Sequence, residues 1–221
     1  MKKLEMTDHF DCTPEEYWDV FFDPAFTARL DAEIGFKGRE ELAFEDDGET
    51  IHTRSRVTPK GELPPHVEQM FTNGLKMLRQ VMDSGTDTSE LPEPMRKMIR
   101  WGKSTFKDLL KRDSGKASAP PTPKLDLRYI EDGVFSRTEG ILRWTIELEL
   151  FKDISSFAGT ITCEPDDTGC VRHLQGEFSL AIPGAGEKVE AFLVEEVAKG
   201  HRKAVELTRQ VLKERRGAKT N

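Results

Sequence analysis

Hydrophobic and polar residues alternate over much of this chain, and a single long helical stripe closes it. Leu4, Met6 and Phe10 share a face over Lys2 to Phe10, which predicts a first strand. Asp8 has the same parity, so that strand either breaks its pattern there or turns one carboxylate inward. Thr13-Pro14-Glu15-Glu16 is a helix start with cap, N1 proline and capping-box glutamate. The helix behind it would bury Tyr17, Trp18, Phe21 and Phe22. Asp23-Pro24 restarts a second helix that carries Phe26 and Leu30 and ends near Gly35. Strands over Phe36 to Glu45 and Glu49 to Val57 flank an Asp46-Asp47-Gly48 turn signal. In the latter, Thr53 and Ser55 face one way, while His52, Arg54 and Arg56 face the other as the solvated side of a sheet.

Further strands are predicted at Leu125 to Ile130, then at Val134 to Thr138 after a Glu131-Asp132-Gly133 turn. Leu142 to Leu150 alternates cleanly, Phe157 to Cys163 follows, and Cys170 to Ile182 is long enough to need a bend, with Gly176 the candidate. Pro183-Gly184-Ala185-Gly186 then leads into a helix from about Glu187 to about Arg215, roughly 40 Å long at ~1.5 Å per residue. Its apolar residues, from Val189 and Phe192 to Val211 and Leu212, recur at three and four residues and form one stripe. The layout is α+β, with about six or seven antiparallel strands curved around one long terminal helix.

Residues 62–123 interrupt that run. Pro64-Pro65 opens one helix, with Val67, Met70, Phe71, Leu75, Leu78 and Met82 on its apolar face. Pro94 opens another, with Met95, Met98, Ile99, Phe106, Leu109 and Leu110 at helical spacing. A proline-rich stretch after Asp113 returns the chain to the sheet. The segment reads as a helical insertion with a flexible linker, within one domain spanning 1–221.

The chain has 221 residues and a net charge of -7, which disfavours a nucleic-acid partner. MKKLEMTDHF has no apolar run and is not a secretory signal, and no stretch reaches a membrane-spanning length, so a cytoplasmic location is expected. The three cysteines have no CxxC spacing, and Cys163 and Cys170 read as reduced residues in paired strands. His9, Asp11 and Cys12 alternate faces and do not converge on a metal. No acid–base pair or nucleophile–base arrangement can be assigned, and neither a catalytic residue nor a cofactor is expected.

His9 through Trp18, followed by Asp23-Pro24, resembles the opening of the START-like helix-grip (SRPBCC) superfamily. Glu177 through Glu190, containing Phe178-Ser179-Leu180-Ala181-Ile182-Pro183-Gly184, resembles the last strand and grip helix of an uncharacterised bacterial branch of it. The likeness covers roughly residues 2–58 and 125–215, and the insertion departs from the compact pattern. It implies a cavity between sheet and helix that holds a lipid or other hydrophobic small molecule. Superfamily members also include cyclases and oxygenase subunits, so the fold leaves function open.

By parity, Thr53, Ser55, Trp144, Ile146, Leu148, Ile161, Phe178 and Leu180 face inward and meet Phe192, Leu193 and Val197 of the terminal helix. They form either an ordinary core or the wall of such a cavity. Arg172 shares the inward parity and could pair with a carboxylate or phosphate head group, or reach solvent at the strand's end. His201 lies on the apolar stripe beside Gly200, as a packing residue, a ligand contact or a catalytic base. In the insertion, Arg100, Trp101 and Lys103 stand among Met95, Met98 and Phe106 on a basic amphipathic helix. That composition fits a membrane-surface segment, a lid over the cavity, or a soluble helix packed on the sheet. Three functions are compatible with the sequence: a non-enzymatic carrier or sensor, a cyclase- or hydrolase-type enzyme using the same cavity, and a membrane-peripheral or protein-interaction module. The oligomeric state cannot be read.

Overall fold

In the computed structural model the described residues are 1–59, 65, 68–69, 73, 80, 84, 89, 96, 99–102, 128–149, 151–152, 154–181 and 186–219. The first strand, β1 (Lys2–Phe10), leads into α1 (Pro14–Phe21) and α2 (Pro24–Ile34). The six further strands are β2 (Gly38–Asp46), β3 (Thr50–Thr58), β4 (Tyr129–Ser136), β5 (Ile141–Leu148), β6 (Ser155–Asp166) and β7 (Gly169–Leu180). The terminal helix is α3 (Gly186–Lys219). All seven strands form one antiparallel sheet in the order β1-β7-β6-β5-β4-β3-β2. The helices α1 and α2 thus carry the chain from one sheet edge to the other. With α3 against β1 and β7, this is the α+β helix-grip architecture.

Local chemistry fixes the element ends. Thr13 and Glu16 close a reciprocal capping box on α1, each side chain accepting the other's backbone N–H at 3.3 Å. Asp23 caps α2 by accepting from Ala25 N at 2.8 Å. Gly35 ends α2 in the left-handed region, at φ 86°, where a Cβ would be strained.

Two expectations about the strands are corrected. Glu131-Asp132-Gly133 is the middle of β4, not a turn. Its charges are held in place across the sheet: Glu131 accepts from Arg39 at 2.7 Å, while Asp132 meets His52 at 3.2 Å and Arg54 at 3.6 Å. Gly133 is required for a packing reason, because a Cβ there would lie 2.9 Å from Thr53 Oγ1. Gly176 pairs in unbroken register with Leu4 on one side and Gly159 on the other. The outward basic row of β3 is not simply solvated either. Arg56 donates to Glu149 and Glu40, each at 2.7 Å.

The core joins both layers. Val20, Leu174 and Val189 are fully enclosed, and α1 stacks Trp18 against Phe135 with ring centroids 4.3 Å apart. Each such side chain contributes about 1.5–3 kcal/mol by burial. Ile99 and Trp101, within the 62–123 segment, belong to the same core. The predicted Leu125–Leu127 strand start, Leu150, Ile182 and the Pro183–Ala185 turn lie outside the described residues, as do the insertion's other apolar positions named above.

Candidate functional site

The pattern along α3 changes partway. In its second half the inward residues Val205, Leu207, Thr208, Val211 and Leu212 are buried. In its first half Val189 and Ala198 are buried, but Phe192, Leu193, Val194, Val197 and His201 are only half-buried, though Phe192, Leu193, Val194 and Val197 pack against the same core. Both halves are anchored. Arg209 donates to His9 O at 3.1 Å and lies over the Phe10 ring, and Arg215 and Arg216 pair with Asp23 and Asp11. Lys203 donates to Glu33 O at 2.8 Å. These contacts tie the latter half to β1, α1 and α2, and at the start of the helix Glu190 accepts from Leu180 N at 2.8 Å and pairs with the Met1 amine at 2.9 Å, while Glu187 pairs with Lys2 at 3.2 Å.

The facing side of the sheet is set by register. Thr53, Gly133, Trp144, Gly159 and Gly176 form one row across five strands. Ser55, Glu131, Ile146, Phe157 and Phe178 form the next. The Trp144 indole lies over the two glycines of its row: a Cβ at Gly159 would come within 2.5 Å of the ring, and one at Gly176 within 2.9 Å. Trp144 is buried, and among the described residues its Nε1 has no hydrogen-bond partner. Thr53, Ser55 and Ile146 stay half-buried, whereas Leu148, Ile161, Phe178 and Leu180 are enclosed. The inward parity of all of these follows the sequence reading; what differs among them is how much surface each retains.

Two guanidinium groups point into the interior, and both are engaged. Arg172 is 2% exposed and donates from Nη2 to Asp8 Oδ2 at 2.5 Å, with its charge 5.8 Å from the centre of the Phe10 ring. It does not reach solvent at the strand end. Burial opposes its charge, but Tyr17 and Asp8 outweigh that and hold its pKa above the ordinary value. Asp8, out of step with an apolar strand face, is therefore the inward partner of an inward arginine. Among the described residues Arg172 Nε and the Tyr17 hydroxyl meet no partner at full hydrogen-bond geometry, although the two side chains are near enough to interact, and burial pushes the Tyr17 pKa up to about 12. At the far end Arg39 donates to Asp31 at 2.9 and 3.2 Å and to Glu131 at 2.7 Å, tying α2, β2 and β4 together. Sequence reasoning passes over this triad, since Glu131 sits in an apparent turn signal and only tertiary pairing makes it a strand residue.

Between these ends stands His201. Its enclosed position, and secondarily the nearby Arg172 charge, lower its pKa from 6.5 to about 3, so the imidazole is neutral at ordinary pH. That value is far below the range suited to a general base. Gly200 beside it leaves room for α2, with a notional Cβ 3.7 Å from Ile34 Cδ1, an ordinary contact.

The three cysteines are free and buried. Cys12 and Cys170 place their sulfurs 3.8 Å apart, while register sets Cys163 opposite Arg172 and Cys170 opposite Pro165. Burial raises all three thiols, to about 12, 11 and 12 for Cys12, Cys163 and Cys170. Such thiols are poor nucleophiles and poor metal ligands. Among the described residues no three His, Cys, Asp or Glu side chains are placed to hold a metal.

Of the basic helix, Arg100 is exposed, whereas Trp101 is 5% exposed and packs on Phe151 with ring centroids 5.5 Å apart. Trp101 is thus an anchor to the β5–β6 connection, not a side chain at a polar boundary. Met95, Met98, Lys103 and Phe106 lie outside the described residues. No helix among the described residues is long and apolar enough to cross a membrane.

A family model described as a protein of unknown function (DUF2505) matches residues 123–212. No curated protein matches the chain. Among solved structures, a norcoclaurine synthase point mutant from Thalictrum flavum, in complex with a transition-state analogue, is similar at TM-score 0.53 and 14% identity, over 97% of this chain and 96% of that one. The protein TTHA0849 from Thermus thermophilus is similar at TM-score 0.52 and 12% identity, over 95% of each chain. The 18 kDa protein CC1736 from Caulobacter crescentus is similar at TM-score 0.51 and 10% identity, over 98% of this chain and 99% of that one. At these identities the likeness establishes the fold alone.

Proposed function

We propose that this chain is a START-like (SRPBCC) protein that binds or carries an apolar small molecule or lipid between the first half of α3 and the inner face of β3–β5. The observation that carries this reading is the group of half-buried apolar residues in the first half of α3, between the buried Val189 and the fully closed second half. Phe192, Leu193, Val197 and His201 retain surface on the side that should be driest, whereas Val205 to Leu212 do not. His201 sharpens it: the side chain is enclosed enough to lose its proton affinity, yet keeps accessible area, as expected of a group facing an internal space.

In this reading Ile146 and Val197 supply apolar wall, Trp144 supports the floor, and Thr53 and Ser55 supply polar contacts. Leu148, Ile161, Phe178 and Leu180 back that wall from within the core. Arg172 orients the ligand indirectly, through its neighbours, because Asp8 already occupies its guanidinium. The protein works as a non-enzymatic, cytoplasmic carrier or sensor. The 62–123 segment is an insertion within one domain and acts as a lid, with Ile99 and Trp101 as its fixed points on the core.

The test is saturable binding of an uncharged fluorescent probe, Nile red, to the full chain, together with Val197→Trp, which fills the proposed space. One site per chain is expected in the parent, with a loss of about tenfold or more in the variant. A folded Val197→Trp protein that binds the probe as well as the parent, or a parent that shows no saturable binding, would sink the reading.

A further inference from the structure

The charge balance of the same region says what kind of head group it accepts, an argument that rests on the binding reading above. Anions need a free cation or a cluster of donors, and among the described residues the inward guanidiniums have their charges matched, with Arg172 Nε a single donor left over. Arg172 is matched by Asp8, and Arg39 by Asp31 and Glu131. A carboxylate brought in beside either would be desolvated without its own counter-charge, the situation that penalises buried ions most. Other titratable groups nearby are neutral: Tyr17 and the thiols of Cys12, Cys163 and Cys170 hold their protons, and His201 is an uncharged imidazole. Thr53 and Ser55 add uncharged hydroxyls.

His201 joins Trp144 Nε1, Arg172 Nε and the Tyr17 hydroxyl as a group with unused capacity, and of these four residues it is the one that keeps accessible surface. Among the described residues no hydrogen bond or ion pair reaches its ring nitrogens, and it is half-buried in the middle of the α3 stripe. A neutral imidazole offers one donor and one acceptor. That pair matches a hydroxyl, which can use either nitrogen, or a carbonyl, which accepts from the protonated one.

We propose that the ligand's polar group is uncharged, a hydroxyl or carbonyl, that His201 holds it, and that the site rejects carboxylate, phosphate and ammonium head groups on chains of the same length. Fatty acids and phospholipids are then poor ligands, while long-chain alcohols, ketones and esters are good ones.

The experiment is displacement of Nile red from the full chain at neutral pH by 1-dodecanol, dodecanoate and dodecylamine. Dodecanol is expected to displace the probe at a concentration about tenfold lower than either ion. His201→Leu should weaken dodecanol about fivefold or more while Nile red affinity holds, and His201→Gln, which keeps a donor and an acceptor, should restore most of that loss. Equal or tighter binding of dodecanoate or dodecylamine overturns the proposal, as does an unchanged dodecanol affinity in folded His201→Leu. Saturable Nile red binding that dodecanol cannot displace overturns this inference and leaves the binding reading standing. Absence of saturable Nile red binding defeats both.

Discussion

Replacing Asp8 with alanine should destabilise the protein far more than replacing any exposed carboxylate, and restoring apolar character opposite it should undo much of the damage. Arg172 has 2% of its side-chain surface exposed and Asp8 16%, and their contact is 2.5 Å. The arginine cannot lose its charge, so Asp8→Ala leaves it buried with Nε and one edge of the guanidinium unpaired. Breaking a buried pair in this way costs about 3–5 kcal/mol. The partial exposure of Asp8 lets water in from one side and places the expectation near the lower end, at about 3 kcal/mol. At about 2–4 °C per kcal/mol for a chain of this size, that is a drop of roughly 6–12 °C in Tm. In the double variant Asp8→Ala, Arg172→Met the orphaned charge is gone and the flexible thioether fills much of the space. Its loss should be smaller than that of Asp8→Ala alone. Urea denaturation followed by far-UV circular dichroism measures all three proteins. A cost below about 1 kcal/mol for Asp8→Ala, or a double variant less stable than the single one, would show that the pair is effectively solvated and the argument wrong.

Three further outcomes follow from the same geometry. His201, with a folded pKa near 3 against 6.5 unfolded, favours folding while neutral; that contribution is intact above pH 6.5 and is lost as pH falls toward 3. The slope it adds, at most about 1.4 kcal/mol per pH unit, should disappear in His201→Leu, and identical acid-denaturation profiles for the two proteins would contradict the enclosed position of the ring. Gly200→Ala should stabilise by about 1 kcal/mol, since the new methyl meets only Ile34 at an ordinary 3.7 Å; a lower urea midpoint would show that the glycine serves something else. Gly159→Ala should destabilise by several kcal/mol or prevent folding, about as much as a severe core lesion, because its methyl would fall 2.0 Å from Gln175 O as well as into Trp144. Gly38→Ala, with nothing within 4 Å, is its control, and equal stability of the two would refute the close approach.

Sequence alone carried the elements whose signals are local. The Thr13 capping box, the Asp23-Pro24 restart and the alternation in β5 depend on neighbours a few residues apart, and each forms where the pattern places it. The long α3 stripe and the inward parity of Thr53, Ser55, Trp144 and Phe178 are equally legible, because period fixes face. Tertiary structure decided everything that depends on what stands across the sheet. Glu131-Asp132-Gly133 has the composition of a turn and becomes strand only because Arg39, His52 and Thr53 meet it from β2 and β3. Gly176 and Gly159 have no distinguishing local context, yet both are required by one indole from β5. Asp8 is a blemish in its strand's pattern until Arg172, 164 positions away, lies beside it. Likewise the stripe on α3 is uniform as sequence, and only the tertiary packing separates Val205, Val211 and Leu212, which are buried, from Phe192, Leu193 and Val197, which are half-buried. Periodicity determines which way a side chain points; the charge, room and water it finds there are properties of distant residues, and those no local pattern can encode.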